Sequence, residues 1–269
     1  MNSTKQLSGD VRLSIPDKIW WLWHNFIAGA SGYQSGRKAE FWHPATVATS
    51  DASPSRKMID AFLETELPKL LPQKSLSVFD IGCGTGYIYQ RLTAMGYDLN
   101  YTGLDVYKRT KFDGNVPHGR FVLSKIEDFQ ASTTYDLVIS NTCLEHVEDD
   151  SSAVRKAFTL GNTQVHILPT FWSLFIYLWH GYRQYSPTSL QTLFGEQGQI
   201  YRLGGAFSFL LHFFFVTIPE RIRMPFLLRR NRVYSWLCRV ANTLDALLPF
   251  LSVMYVVVIR LPEPHAIAQ

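Results

Sequence analysis

The chain has 269 residues, of which 46% are hydrophobic and 18% charged, and a formal net charge of +4. That length suits one α/β domain with insertions or two small domains, and the apolar content excludes global disorder. The mild positive charge suits anionic surfaces without arguing for nucleic acid. The three scattered cysteines, Cys83, Cys143 and Cys238, form no CxxC pair that would suggest zinc or a disulfide framework.

Residues 1–53 are irregular and aromatic. The first fifteen are polar and lack the apolar run of a signal peptide, so a cytoplasmic protein is expected. "IWWLWHNFIAGASGY" (Ile19–Tyr33) packs three tryptophans into one short run, which reads either as a lid helix over a site or as plain packing. Residues 54–205 alternate strand-like and helix-like segments. "SLSVFDI" (Ser75–Ile81) reads as a buried strand, and "YIYQRLTAMG" as a helix stopped by Gly96. "YTGLD", "RFVLS" and "YDLVIS" give three more strands. "LEHVEDDSSAVRKAF" follows as an amphipathic helix, and "TQVHILP" is a fifth strand. Strands separated by helices imply a doubly wound parallel sheet, whose ligands bind beyond the carboxyl ends of the strands.

In "FDIGCGTGY" (Phe79–Tyr87), Gly82, Gly84 and Gly86 occupy that place. Glycine lets the backbone approach a ligand closely and take positive φ. The dinucleotide fingerprint GxGxxG would need glycine where Tyr87 stands, and a carboxylate at Asp80 would repel a pyrophosphate. A cationic ligand fits better, and S-adenosylmethionine carries an ammonium and a sulfonium but no phosphate. Asp105 ends the second strand, where a carboxylate can accept from both ribose hydroxyls. Taken singly, the glycines also read as a tight turn and Asp105 as a helix cap.

The ordered set "VFDIGCGTGYIYQRL", "YTGLDVY", "KIEDF" and "YDLVISNTCLEHVEDD" resembles the successive motifs of class I S-adenosylmethionine-dependent methyltransferases. The resemblance covers roughly residues 75–169. It implies a seven-stranded, mostly parallel sheet whose last strand is antiparallel, with "QIYRLGG" and "SVMYVVVIRL" as the last two strands. It also implies that Asp80, Gly82, Cys83, Gly84 and Gly86 hold the methionine end, that Asp105 holds the ribose, that Ile126 and Glu127 flank the adenine, and that Asn141 lies beside the reacting centre. Many relatives carry an acid where Lys125 stands, and lysine cannot accept the adenine amino hydrogen bond. "LEHVEDD" is similar to ubiquinone-pathway O-methyltransferases, some of which bind a divalent metal through ExxEH. Here Thr142 replaces the first acid of that group, and no metal is assigned. His146 is a general base, a ligand, or a plain helix-face histidine.

The flanks choose the acceptor. "PTFWSLFIYLWHGYRQYSPTSLQTLF" (Pro169–Phe194) reads as a helix apolar nearly all round, after which His180, Arg183 and Tyr185 arrive together. These three grip an anionic or sugar head group or form a salt-bridged helix end, and His180 and Tyr185 join His146 as catalytic candidates. Residues 206–251 are an apolar, basic helical insertion before the last strand (252–269). Arg221, Arg223, Arg229, Arg230, Arg232 and Arg239 are interleaved with aliphatic and aromatic residues there. Such a segment suits an anionic membrane surface on the inner face of the cell membrane, a packed subdomain, or a homodimer interface.

The expectation is therefore a methyltransferase acting on oxygen of a lipid-linked or membrane-associated acceptor, a glycan or quinone precursor. Its rivals are a methyltransferase for a soluble small molecule and a non-catalytic cofactor-binding protein. Nucleic acid is not expected as a partner.

Overall fold

The structure is a computed structural model and describes residues 14–33, 39–48, 50, 52–177, 180–222 and 232–261. Eight strands form one sheet: β1 (Glu40–Trp42), β2 (Ser75–Ile81), β3 (Asp98–Asp105), β4 (Arg120–Leu123), β5 (Leu137–Asn141), β6 (Thr163–Pro169), β7 (Gly198–Leu203) and β8 (Met254–Arg260). Their spatial order is β1-β7-β8-β6-β5-β2-β3-β4. Only β8 runs antiparallel to its neighbours, β6 and β7. Seven strands were expected, and the eighth is β1, which pairs in parallel with β7 at the sheet edge. Three residues are too few to show the alternation by which a strand is read from sequence.

The strands are apolar because both sheet faces are covered. Successive side chains point to opposite faces. Leu76, Val78, Ile139, Val165 and Val256 join one buried cluster, while Phe79, Ile81, Val138, Leu168 and Val257 join another. The layers over them come from α2 (Pro54–Leu70), α3 (Tyr87–Ala94), α4 (Phe112–Asn115), α5 (Asp150–Phe158) and α6 (Pro187–Phe194). From β2 the chain steps outward to β3 and β4, then crosses back to β5 on the other side of β2. The carboxyl ends of β2 and β5 therefore flank the switch point where such sheets bind ligands.

Two expected helices break into shorter pieces. "LEHVEDD" makes only a 3₁₀ turn, Leu144–His146, and α5 starts at Asp150 because the Asp149 side chain accepts from the Ser152 N–H at 2.9 Å. The run after β6 is likewise a 3₁₀ turn, Phe171–Phe175, and the described residues 176–177 and 180–184 after it are irregular, with Gly181 at φ 72°. The next helix among the described residues is α6, where Ser186 and Ser189 form a reciprocal capping box and Pro187 occupies the first turn. The side chains of Leu178 and Trp179, read into the apolar helix, lie outside the described residues.

The helix α1 (Ile15–Tyr33) lies across this irregular run. Trp21 is wholly buried and donates its indole N–H to the Gly181 carbonyl at 2.8 Å, and the Gln184 N–H donates to Asn25 Oδ1 at 2.8 Å. Its outward face leaves Ile15, Ile19, Trp20, Trp23, Phe26 and Ile27 exposed.

The segment before β8 holds α7 (Ala206–His212), a π-helical turn Phe213–Thr217, α8 (Ile218–Arg221) and α9 (Arg232–Asp245). It docks on the start of α2. His212 Nδ1 meets Ser55 Oγ at 2.6 Å, and the Tyr234 hydroxyl donates to the Ala52 carbonyl at 2.8 Å. Arg221, Arg232 and Arg239 are exposed, together with Ile222, Val233 and Trp236. Arg223, Arg229 and Arg230 lie outside the described residues. No helix among the described residues is long and apolar enough to cross a membrane.

Candidate active site

The turn after β2 is built by its glycines. Gly82 and Gly84 take φ of 72° and 54°, and a Cβ on Gly82 would fall 2.2 Å from Cys143 Sγ. Only glycine fits both the angle and the space. The Gly82 and Cys83 N–H groups donate to the Leu104 carbonyl at 2.8 and 3.1 Å, which anchors the turn to β3. Asp105, at the end of β3, accepts from the Gly84 N–H at 3.0 Å. The two pieces singled out from sequence, the glycine turn and the strand-ending acid, are thus one hydrogen-bonded unit.

Asp80 is buried and accepts from the Tyr101 hydroxyl through one oxygen, while the other, Oδ1, has no partner. Burial pushes its pKa up to about 7, and the nearby Asp105 adds to the push against the Tyr101 hydrogen bond. Across the switch point, Asn141 Oδ1 is also buried and unpartnered. Buried acceptors are nearly always satisfied, so an orphaned pair beside the glycine turn suits a ligand bearing N–H donors. An ammonium and a ribose fit this set of groups. Ile126 clusters with Leu104 and Phe129, and Glu127 is half-buried beside it on the adenine side of the expected site.

Next to this turn lies a cavity of about 130 Å³ lined by Arg56, Thr142, Glu145, Tyr177, His180 and Met254 among others. Thr142 has φ 51°, a strained angle for a β-branched residue, and such strain gathers at functional sites. His146 and His180 meet edge to face with their Nε2 atoms 3.1 Å apart. Burial, then the neighbouring ring, lowers His146 to about 4, and burial lowers His180 as well. Both imidazoles are therefore neutral at pH 7 and able to take a proton.

Glu145 is fully buried, neither carboxyl oxygen has a hydrogen-bond partner, and burial raises its pKa to about 8. The ligating atoms of Glu145, His146 and His180 all lie within 4.8 Å of one another, so these three could hold a metal ion. The sequence paired Glu145 with His146 but did not anticipate His180 as the third donor.

Tyr185 is not part of this group. Its hydroxyl donates to Asp150 Oδ2 at 3.0 Å, and Arg183 pairs with the same oxygen at 2.8 Å. Of the trio His180, Arg183 and Tyr185, only His180 lines the cavity, and the other two make the salt-bridged helix end that was the alternative reading. Arg56 and Tyr177 were not anticipated as lining residues, and Thr142 was read only as the missing first acid of a metal group.

A family model described as "Methyltransferase domain" matches residues 55–198, just over half of the chain. The chain is 28% identical over 111 residues to malonyl-[acyl-carrier protein] O-methyltransferase of Bacillus anthracis, covering 40% of this chain and 41% of that protein. The protein of the same name from Acetivibrio thermocellus is 31% identical over 111 residues, covering 39% and 38%. The match thus spans about two fifths of the length of these relatives. Among solved structures, the plantazolicin methyltransferase BpumL, in complex with a desmethylPZN analog and SAH, aligns with a TM-score of 0.52 at 13% identity over 78% of this chain and 86% of its own. The N-methyltransferase NodS of Bradyrhizobium japonicum WM9 aligns with a TM-score of 0.50 at 13% identity, covering 79% and 90%. At these identities the likeness is one of fold.

Proposed function

The chain belongs to the methyltransferase domain family, with S-adenosylmethionine as donor, and from that premise we propose that it methylates an oxygen of a lipid-linked or membrane-associated acceptor. One observation carries the choice of oxygen. His180 lines the cavity and is backed by His146, whose Nε2 it touches, so the cavity wall carries an imidazole pair that is neutral at pH 7, and a hydroxyl acceptor needs such a base whereas an anionic oxygen does not.

Asp80, Asn141 and the Gly82–Gly86 turn hold the methionine end, and Asp105 holds the ribose. The acceptor oxygen attacks the methyl carbon in line with the sulfonium. The C–S bond breaks, its electron pair stays on sulfur, and the hydroxyl proton passes to the His146–His180 pair. Most of the rate gain comes from alignment. The exposed apolar face of α1 and the exposed Val233 and Trp236 beside Arg232 and Arg239 on α9 support an acceptor presented at a lipid surface. The test is transfer of a labelled S-adenosylmethionine methyl group into the lipid fraction of a membrane extract. Label that enters only water-soluble compounds would replace this acceptor with a soluble one.

The Glu145, His146 and His180 cluster favours a second reading, in which a divalent ion polarises the acceptor oxygen in place of a base. Loss of turnover in chelator and its return on adding magnesium or zinc would select that reading.

A further inference from the structure

Arg56 stands in the first turn of α2, where Ser53 caps the helix by accepting from the Arg56 N–H at 3.3 Å. Its side chain runs inward. The guanidinium carbon lies 4.0 Å from the centre of the Tyr87 ring, at the end of the glycine turn, and the residue lines the cavity that His180 also lines. Nη1 is buried and has no hydrogen-bond partner, although the charge of Asp60 favours the ionised guanidinium. Asp60 lies one turn further along α2, but it accepts from the Tyr87 hydroxyl and pairs with Arg91 Nε at 3.8 Å. A buried guanidinium N–H left unsatisfied is costly, and an arginine is an oxyanion receptor by geometry.

The rest of the lining sharpens the inference. Tyr177 and Ser55 add hydroxyls beside Arg56, with the Tyr177 hydroxyl donating to Ser55 Oγ at 3.3 Å. Glu145 is the carboxyl group in the lining, on a different segment of the chain from Arg56. The cavity therefore offers a cation with hydroxyls at one side and a base at another.

We propose that the acceptor carries an oxyanion, a carboxylate or a phosphate, which binds Arg56 and so places the group to be methylated at His146 and His180. This rests on the reading of the cavity as the acceptor site and adds the chemical class of the acceptor to it. A carboxylate and a phosphate present the same paired oxygens to a guanidinium, so the probes separate the two sources.

The experiment is calorimetric titration of the protein saturated with S-adenosylhomocysteine, using malonate, inorganic phosphate and neutral malonamide. The unmodified protein, Arg56→Lys and Arg56→Gln are compared. The expected result is that one anion binds at least tenfold tighter than malonamide, that Arg56→Gln loses at least tenfold of that affinity, and that Arg56→Lys keeps part of it. Binding of malonate or of phosphate identifies the carboxylate or the phosphate class. Equal binding of anions and malonamide, or anion binding unchanged in both variants, overturns the proposal. Because Arg56→Lys keeps the charge and the aliphatic stem, it holds the test open if Arg56→Gln fails to fold. Failure of the protein to bind S-adenosylhomocysteine at all would instead strike at the methyltransferase reading.

Discussion

His146 and His180 come from segments 34 residues apart in sequence and place their Nε2 atoms 3.1 Å from each other. At that distance one ring must present its lone pair and the other its N–H, so when both are neutral one N–H lies in the contact and the accepting ring carries its own proton on Nδ1. The contact makes a tautomer choice for both rings, which neither could make alone.

If this pair is the base, His146→Ala should lower kcat by about 10²–10⁴ while S-adenosylhomocysteine affinity stays within a few-fold. Since His146 is held at about 4, turnover should survive acidification well below the ordinary histidine range and fall only as the pH approaches 4. Single-turnover rates against pH test this. An acidic limb centred near 6.5 would remove His146 from the role of base.

Asp105→Ala should weaken S-adenosylmethionine and S-adenosylhomocysteine together. The ribose loses a charged acceptor, and the Gly84 N–H loses the oxygen that orders the turn. Loss of such a bond costs about 1.5–3 kcal/mol, or roughly ten- to hundred-fold in affinity. Calorimetry reads both ligands directly. Unchanged affinity would place the ribose elsewhere.

Gly82→Ala should abolish donor binding through two separable effects, a clash with Cys143 and a left-handed backbone angle. Pairing it with Cys143→Gly removes the clash but leaves the angle, which costs about 1 kcal/mol for a residue with a side chain. Partial recovery of donor affinity in the double variant is the expected outcome. No recovery would mean that the angle alone accounts for the loss.

Glu145 should make the fold less stable at alkaline pH. Its folded pKa, about 8, exceeds the ordinary 4.5, so its contribution is complete below about 4.5 and is lost as pH rises through 8. Glu145→Gln cannot ionise. Its melting temperature should fall less between pH 5 and pH 9 than that of the unmodified chain. Parallel falls in the two proteins would show that Glu145 ionises freely in the fold.

The protein should sediment with anionic vesicles more than with neutral ones. Trp20→Ser with Trp23→Ser should reduce that sedimentation without changing donor affinity, since both side chains point away from the fold. Vesicles of phosphatidylglycerol and of phosphatidylcholine give the comparison. Protein that stays in the supernatant with both at low salt would leave these faces for protein contacts.

What the sequence disclosed was local. The glycine turn, Asp80 and Asp105 could be read because a backbone angle and a strand end leave their mark within a few residues. The inward paths of Arg56 and His180 could not. Arg56 sits beside a Ser-Pro helix start that looks like any surface helix end, and only the fold turns it toward Tyr87. His180 reaches His146 because the chain leaves helical geometry after Phe175, and Gly181 then packs against the Glu145 backbone, where a Cβ would come within 2.7 Å of its carbonyl. Gly181 and the capped Ser186-Pro187 start were the available signals against one long helix. The apolar periodicity of Phe171, Leu174 and Phe175 outweighed them.

β8 stands between β6 and β7, and β7 and β1 join the sheet only through it. It is also the latest of the strands in the chain. During synthesis, residues 40–42 and 198–203 can pair with each other but cannot join the rest of the sheet until residues 254–260 have left the ribosome. The donor half, β2 to β6, pairs within itself and can form earlier, whereas β7 and β1 dock on it only when β8 arrives. A chain arrested before residue 254 would carry the whole glycine turn yet expose the flank of β6 as an open template for another strand.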